Sequence, residues 1–286
     1  MKTPKKLLAG SSVLALALTL AGCGGSDESS GEAAAGGGCL AEAKESGKLV
    51  VGTVGNLPMD TIDPETGEAT GIIPDILRDF AEAEGIDEVE AVAMEFGSLI
   101  PSMQSKRIVM SADSMYRTEE REKAIDFTDR LWYGPEVMIV KEGNPEGLSN
   151  FEDLGPDNSI ATYTGTAWVD WLDELKETNG VQTKTYKTPQ NVMSAVASGQ
   201  IQAGVLTAYV AGYALKTKPD SGFEFAEGYT IADKEAVQDH LGVRKGCTDL
   251  IDAFNSHYSG MVEDGSINSM MEEWGLTPVD YYLEGE

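Results

Sequence analysis

Apolar and polar positions along the chain fall into short segments with clear punctuation. Lys48 to Val54 (KLVVGTV) is apolar and β-rich and predicts a buried strand. Gly55 to Gly71 is polar and broken by Pro and Gly, a loop carrying Asp60, Asp63 and Glu65. Pro74 suits the first turn of a helix, with Ile76, Leu77, Phe80 and Ala81 on one face. Glu88 to Met94 predicts a second strand, Phe96 to Pro101 leads into a short helix, and Arg107 to Ala112 predicts a third strand. Ser111 to Ser114 reads as a small polar turn. An acidic helix start holding Arg121 follows, and Ala124 to Phe127 returns to extended chain.

The pattern then repeats. Trp132 to Lys141 predicts one long extended segment. Strands are expected at Ser159–Thr162, Thr183–Tyr186 and Ala203–Leu206, and helices from Gly165-Thr166-Ala167, over Pro189–Ala197 and over Ala208–Leu215. His240 to Val243 predicts a last strand, Thr248 to Glu263 a long helix, and Ser266 to Trp274 another. Alternation of β and α segments implies parallel-type sheets flanked by helices. Two α/β units joined by crossing segments place a ligand in the cleft between them, at strand C-terminal ends.

Length agrees with two lobes: 286 residues exceed one average domain. The expected layout is 39–137 with 235–286 in lobe 1 and 138–234 in lobe 2. Charge narrows the partners. The formal net charge is −27, and beyond residue 22 there are 18 basic against 48 acidic side chains. That balance argues against nucleic acid and against a polybasic membrane patch. Two distant histidines and no Cys/His cluster give no metal signal, and no cofactor motif is present.

The start of the chain has its own chemistry. Lys2, Lys5 and Lys6 precede a short apolar core, Leu7 to Ala21, of secretory-signal form. It ends Leu20-Ala21-Gly22-Cys23, which resembles a lipobox, where bacterial lipoproteins are cleaved before a diacylated cysteine; the other reading is an ordinary signal with an incidental cysteine. Residues 1–22 are then a signal peptide and 23–38, free of large apolar residues, a flexible tether. Acyl chains on Cys23 would hold the protein at the extracytoplasmic face of a bacterial cell membrane. Cys39 and Cys247 remain as an even pair in an oxidising compartment, expected as a disulfide, with two free buried thiols as the alternative.

With these segments in view, the chain from Lys48 to Leu276 resembles the type 2 periplasmic binding proteins, specifically the family-3 solute receptors of polar amino-acid ABC importers. Four motifs carry the resemblance: Phe96 to Ser105 (FGSLIPSMQS), Ser114 to Arg121 with Ile125-Asp126-Phe127-Thr128, Gly165-Thr166, and Leu250 to Trp274 with its Asp264-Gly265 turn. The resemblance implies an α/β two-lobed type 2 periplasmic-binding-protein fold, each lobe a mixed sheet flanked by helices. It also implies a ligand site. Arg121 would pair with a carboxylate, Ser114 and Tyr116 would contact the ligand, and Phe96 would pack on it. Backbone N–H groups of Thr166 and Ala167, at a helix start, would reach the same carboxylate. From physics alone Phe96 reads equally as core, and Arg121 without its neighbours as a surface ion-pair residue.

Departures from the family pattern bear on the ligand. Thr207 stands where the family usually has the aspartate that holds an α-amine, and Thr53, Asn56 and Met59 replace early acids and aromatics. A primary ammonium then lacks its usual partner, unless Asp60, Asp63 or Glu136 substitutes. Together with FGSLIP and Phe151-Glu-Asp-Leu, this sets the ectoine/hydroxyectoine-binding branch above an ordinary amino-acid receptor. The reading that follows is a monomeric, lipid-anchored solute receptor that closes about a hinge on a small zwitterion and delivers it to ABC permease transmembrane subunits. A dehydratase-like enzyme, with an acid such as Asp113 in the cleft, and a sensory ectodomain are the competing readings.

Overall fold

The computed structural model describes residues 38–227, 237–276 and 282–283. The expected signal peptide, Cys23, the tether up to residue 37 and the expected lobe boundary at 234/235 lie outside them. The described residues belong to one compact unit, Gly37–Glu286.

The first sheet grows from the apolar run after the tether. Strand β1 (Lys48–Thr53) pairs in parallel with β4 (Glu88–Ala93) and with β5 (Met110–Tyr116). A two-residue hairpin, β2 (Thr61–Ile62) and β3 (Ala69–Thr70), lies in the loop after β1. Helix α2 (Ile72–Glu84) follows, bounded by Gly71 and by Gly85 in the left-handed conformation that ends helices. Its face of Ile72, Ile73, Ile76, Leu77 and Phe80 is fully buried against this sheet's core. Strand β13 (Gln238–Arg244) inserts antiparallel between β5 and β6 (Ile125–Phe127), giving the order β4-β1-β5-β13-β6, with β7 (Trp132–Tyr133) also on β13.

The second sheet has the order β10-β9-β11-β8-β12. Its strands are β8 (Glu136–Lys141), β9 (Ser159–Tyr163), β10 (Gln182–Tyr186), β11 (Ala203–Thr207) and β12 (Phe223–Phe225). Strands β9, β10 and β11 run parallel, while β8 is antiparallel to β11 and to β12. Helices α5 (Trp168–Asn179), α6 (Pro189–Ala197) and α7 (Ala208–Thr217) connect them. Both sheets are therefore mixed rather than parallel. In each, a strand brought in from outside the local β–α–β run pairs in reverse.

Three expectations change. Trp132 to Lys141 is not one strand: β7 belongs to the first sheet and β8 to the second, and the break falls at Gly134-Pro135. Pro135 has no N–H to continue a ladder. Gly134 sits so close beneath Asp239 that an added Cβ would lie 2.0 Å from a carboxylate oxygen. Ser111 to Ser114 is not a turn but the middle of β5, a buried central strand. Its polar side chains are satisfied sideways: Ser111 Oγ accepts from Gly242 N at 2.9 Å, and Asp113 accepts from the Asn56 amide and from Ser114 N. The last strand starts two residues before His240, which brings Asp239 into the sheet.

A disulfide joins Cys39, at the start of helix α1 (Cys39–Ser46), to Cys247 beside helix α8 (Thr248–Asp264), with Cα atoms 5.2 Å apart. No helix among the described residues is long and apolar enough to cross a membrane.

Candidate functional site

Where the two sheets face each other lies a small cavity lined from both lobes. Phe96, Ser114, Tyr116, Arg121, Thr166, Ala167 and Thr207, all seven residues expected at a ligand site, line it together. So do Asn56, Glu136, Trp168, Tyr209 and Asp239.

Arg121 sits in the single-turn helix α4 (Glu119–Glu122), whose N-cap Thr118 accepts from Arg121 N at 3.3 Å. Its guanidinium turns inward and is 9% exposed. Nη1 donates to Tyr116 O at 2.7 Å, in its own lobe, and Nη2 to Gly165 O at 2.8 Å, in the other. The charge lies 5.7 Å from the Phe96 ring centroid. Burial lowers its pKa, but a guanidinium stays charged at any working pH. A fork of five donors with two on backbone carbonyls has donors left for an anion. Close by in the other lobe, Ala167 is the N-cap of α5, with no side-chain cap; Val169 N donates to Thr166 O at 3.4 Å, and the N–H groups before it can meet the same anion.

Acids complete the lining. Glu136, the first residue of β8, is 6% exposed, and its Oε1 accepts from the Tyr116 hydroxyl and from Thr207 Oγ1, each at 3.0 Å. Burial raises its pKa to about 8, against the hydrogen bonds that pull it down. Asp239, 2% exposed, accepts from the Tyr209 hydroxyl at 2.8 Å, and burial raises it to about 7. Tyr209 also meets Ser114 Oγ at 3.0 Å, so one phenol from α7 ties the two lobes. Asn56, 3% exposed, donates through Nδ2 to Asp113 at 3.3 Å, while its Oδ1 has no hydrogen-bond partner. The buried Trp168 Nε1 likewise has none; it is near enough to Glu136 to lower that group's pKa without meeting hydrogen-bond geometry.

The other acids weighed from the sequence fall elsewhere. Asp60 is buried, but its carboxylate is consumed by the backbone N–H groups of Val54, Gly55 and Asn56. Asp63 accepts from Glu65 N and Thr66 N in its own loop. Asp113 is held behind Asn56 and does not line the cavity. Thr207 acts through Glu136, as a donor to it. Asp239 and its partner Tyr209 are residues that sequence reasoning missed; Asp239 alone left a trace. Its signal was an acid beginning an apolar run (QDHLGV), which a strand starting at His240 leaves outside.

Comparison with known proteins bears on the fold and the family. An L-cystine-binding protein of Escherichia coli K12 is 25% identical over 83% of this chain and 86% of its own length. The lysine/arginine/ornithine-binding periplasmic protein of the same organism is 27% identical over 64% and 70%. A solved ancestral arginine-binding protein bound to arginine superposes with a TM-score of 0.71 at 27% identity, over 80% of this chain and 98% of that one. The fold is the two-lobed mixed α/β fold of the periplasmic binding proteins. Residues 49–277 match the bacterial extracellular solute-binding proteins, family 3, and the chain belongs to that family.

Proposed function

We propose that this protein is an extracytoplasmic receptor for a small amino acid, held between the lobes and passed to the permease of an ABC importer. The observation that carries the reading is one cavity lined together by a buried arginine, a helix N-terminus and two buried acids. A zwitterion fits that polarity: its carboxylate on Arg121 and the α5 N-terminus, its ammonium on Glu136 or Asp239. The relatives named for L-cystine and for lysine, arginine and ornithine support the amino-acid class. The preference for ectoine rests on the FGSLIP and Phe151-Glu-Asp-Leu motifs and on a missing acid for the ammonium. Glu136 and Asp239 in the cavity remove the second ground, so an amino acid becomes the first expectation and ectoine the control. Anchoring through an acylated Cys23, action as a monomer and delivery to permease subunits complete the proposal.

Isothermal calorimetry against amino acids, ectoine, betaine and small carboxylates tests it. An amino acid is expected to bind, without turnover. Arg121→Ala is expected to weaken that binding by about 3–5 kcal/mol, the usual loss when one partner of a desolvated pair is removed. Unchanged affinity would take Arg121 out of the site, and binding of ectoine or betaine in preference to every amino acid would overturn the class.

A further inference from the structure

The balance of donors and acceptors in the cavity goes further than a zwitterion. Arg121 is the only buried arginine or lysine among the described residues, yet two buried carboxylates line the same space. They sit on different elements with different partners. Glu136 is on β8, backed by Tyr116 and Thr207. Asp239 is on β13, backed by Tyr209. Neither has a lysine or arginine salt-bridge partner among the described residues, and each partner named above is a neutral hydroxyl.

Asn56 supplies an independent observation. Its amide is pinned by Asp113 through Nδ2, and Oδ1, an acceptor on a side chain 97% removed from solvent, is left without a donor at the cavity wall. A buried acceptor with no donor is uncommon and costly in a native fold unless something else supplies the hydrogen. A single ammonium would satisfy one acid and leave the other carboxylate facing the ligand's apolar part.

We propose that the cavity selects a short-chain diamino acid, its carboxylate on Arg121, one nitrogen on Glu136 and the other on Asp239 with Asn56 Oδ1. The proposal rests on the amino-acid reading above and refines it. A short chain is required because both acids border one residue: Asp239 is the register partner of Tyr116 in the first sheet, and the Tyr116 hydroxyl meets Glu136 Oε1 at 3.0 Å. A ligand with two cationic nitrogens and one carboxylate brings net charge +1 into a lining with one arginine and two acids.

Calorimetry on the full chain with matched pairs decides it. L-2,4-diaminobutyrate is compared with L-2-aminobutyrate, and L-ornithine with L-norvaline; members of each pair share a carbon skeleton and differ by one amine. The diamino member is expected to bind roughly a hundredfold tighter or more, because a site built to hydrogen-bond a group rejects the analogue that lacks it. Equal or tighter binding of the monoamino member overturns the diamino assignment and leaves the amino-acid reading standing. Binding of ectoine or betaine with no amino acid bound overturns both. The isosteric variants Glu136→Gln and Asp239→Asn locate the nitrogens. Each should weaken the diamino ligand about tenfold or more, and the preference for the diamino over the monoamino ligand should shrink in the variant that loses the partner of the second nitrogen. If both variants weaken both ligands equally, the acids share one ammonium and the proposal falls; the wild-type ligand pairs decide the matter even if a variant fails to fold.

Discussion

Glu136 and Asp239 are acids that the fold holds against their ordinary chemistry. Burial raises them to about 8 and about 7 from ordinary values of 4.5 and 3.8, and Asp60 to about 7 for the same reason. A carboxyl whose folded pKa is raised holds a proton that the unfolded chain has already released. Its burden on stability is absent below about pH 4, grows between the two pKa values, and is complete above about pH 8. Each group contributes a slope of at most about 1.4 kcal/mol per pH unit inside that window. His240 acts in the opposite sense, since burial lowers its pKa, but it is one group against four, burial raising Asp113 as well, and it works only up to about its ordinary 6.5. The ligand-free protein is therefore expected to melt at a lower temperature at pH 8 than at pH 5, read by calorimetric scanning; a melting temperature that climbs over that interval would refute these raised values. An ammonium in the cavity favours the charged carboxylates, so ligand binding should release protons and strengthen as pH rises from 6 to 8. Titrations in two buffers of different ionisation enthalpy measure that release. Much of this was legible in the sequence: Arg121, Ser114 and Tyr116 follow from one motif block and Phe96 from the motif before it. Asp239 was not, because strand ends are the least regular part of a period-two pattern. Glu136 was visible only as one acid among several, since nothing local says which way the first residue after a Gly-Pro break will face.

Among the secondary elements, the contact that governs closure is made by backbone. Gly165 precedes α5 with φ +89°, and a Cβ there would lie 2.5 Å from the Cα of Gly97, in the 3-10 turn Phe96–Ser98 of the opposite lobe. Gly165 O is also the far-lobe acceptor of the Arg121 fork. Around this point the lobes are joined by a Lys187–Glu95 ion pair at 2.9 Å and by Gln190 Nε2 donating to Gly55 O at 3.1 Å. Both are exposed and individually weak. Gly165→Ala would hold the lobes apart at the Arg121 hinge point and also place a β-carbon in the left-handed region, a strain of about 1 kcal/mol or more. Ligand affinity is expected to fall roughly tenfold or more, equivalent to about 1.4 kcal/mol, and the ligand-bound chain should keep a larger radius of gyration in small-angle scattering. Wild-type affinity and wild-type compaction in the variant would show that Gly97 and Gly165 need not touch. The Gly-Thr pair at this helix start could be read from the sequence as a motif; its partner Gly97, 68 residues earlier, could not, because a contact across lobes leaves no periodic trace. The same limit hid the break between β7 and β8. WYGPEVMIVK reads as one mostly apolar extended run, and the change of sheet at Gly134-Pro135 shows only in the pairing, β7 with β13 and β8 with β11.

Across the whole molecule, the cavity and the covalent tie are independent. The Cys39–Cys247 disulfide spans a sequence separation of 208 residues and packs among Ala43, Leu49, Val243 and Leu250 in the core of the first lobe. The arm it fastens is short. Helix α1 has eight residues, and the backbone N–H groups of Cys39 and Leu40 donate to the Asp249 carboxylate at 3.0 and 2.9 Å. That carboxylate lies in the first turn of α8, so the arm is held to α8 by two hydrogen bonds as well as by the sulfurs. Cross-linking a loop of this length removes denatured-state entropy worth roughly 5 kcal/mol in the simplest chain model, although measured values centre on about 2–4 kcal/mol. None of the residues that line the cavity touches either cysteine: the disulfide is anchored by α1 and α8, while Arg121, Glu136 and Asp239 are placed by α4, β8 and β13. The double variant Cys39→Ser/Cys247→Ser is therefore expected to lose about 2–4 kcal/mol in denaturant unfolding, with most of the loss expressed as fraying of α1, and to bind ligand with wild-type affinity. Reduction of the wild-type protein with dithiothreitol should reproduce the loss and leave the double variant unmoved. A fall in affinity that tracks the fall in stability would mean that the first lobe transmits strain from α8 through β13 to Asp239, and the division between a site held by strand ends and an arm held by sulfur would have to be abandoned.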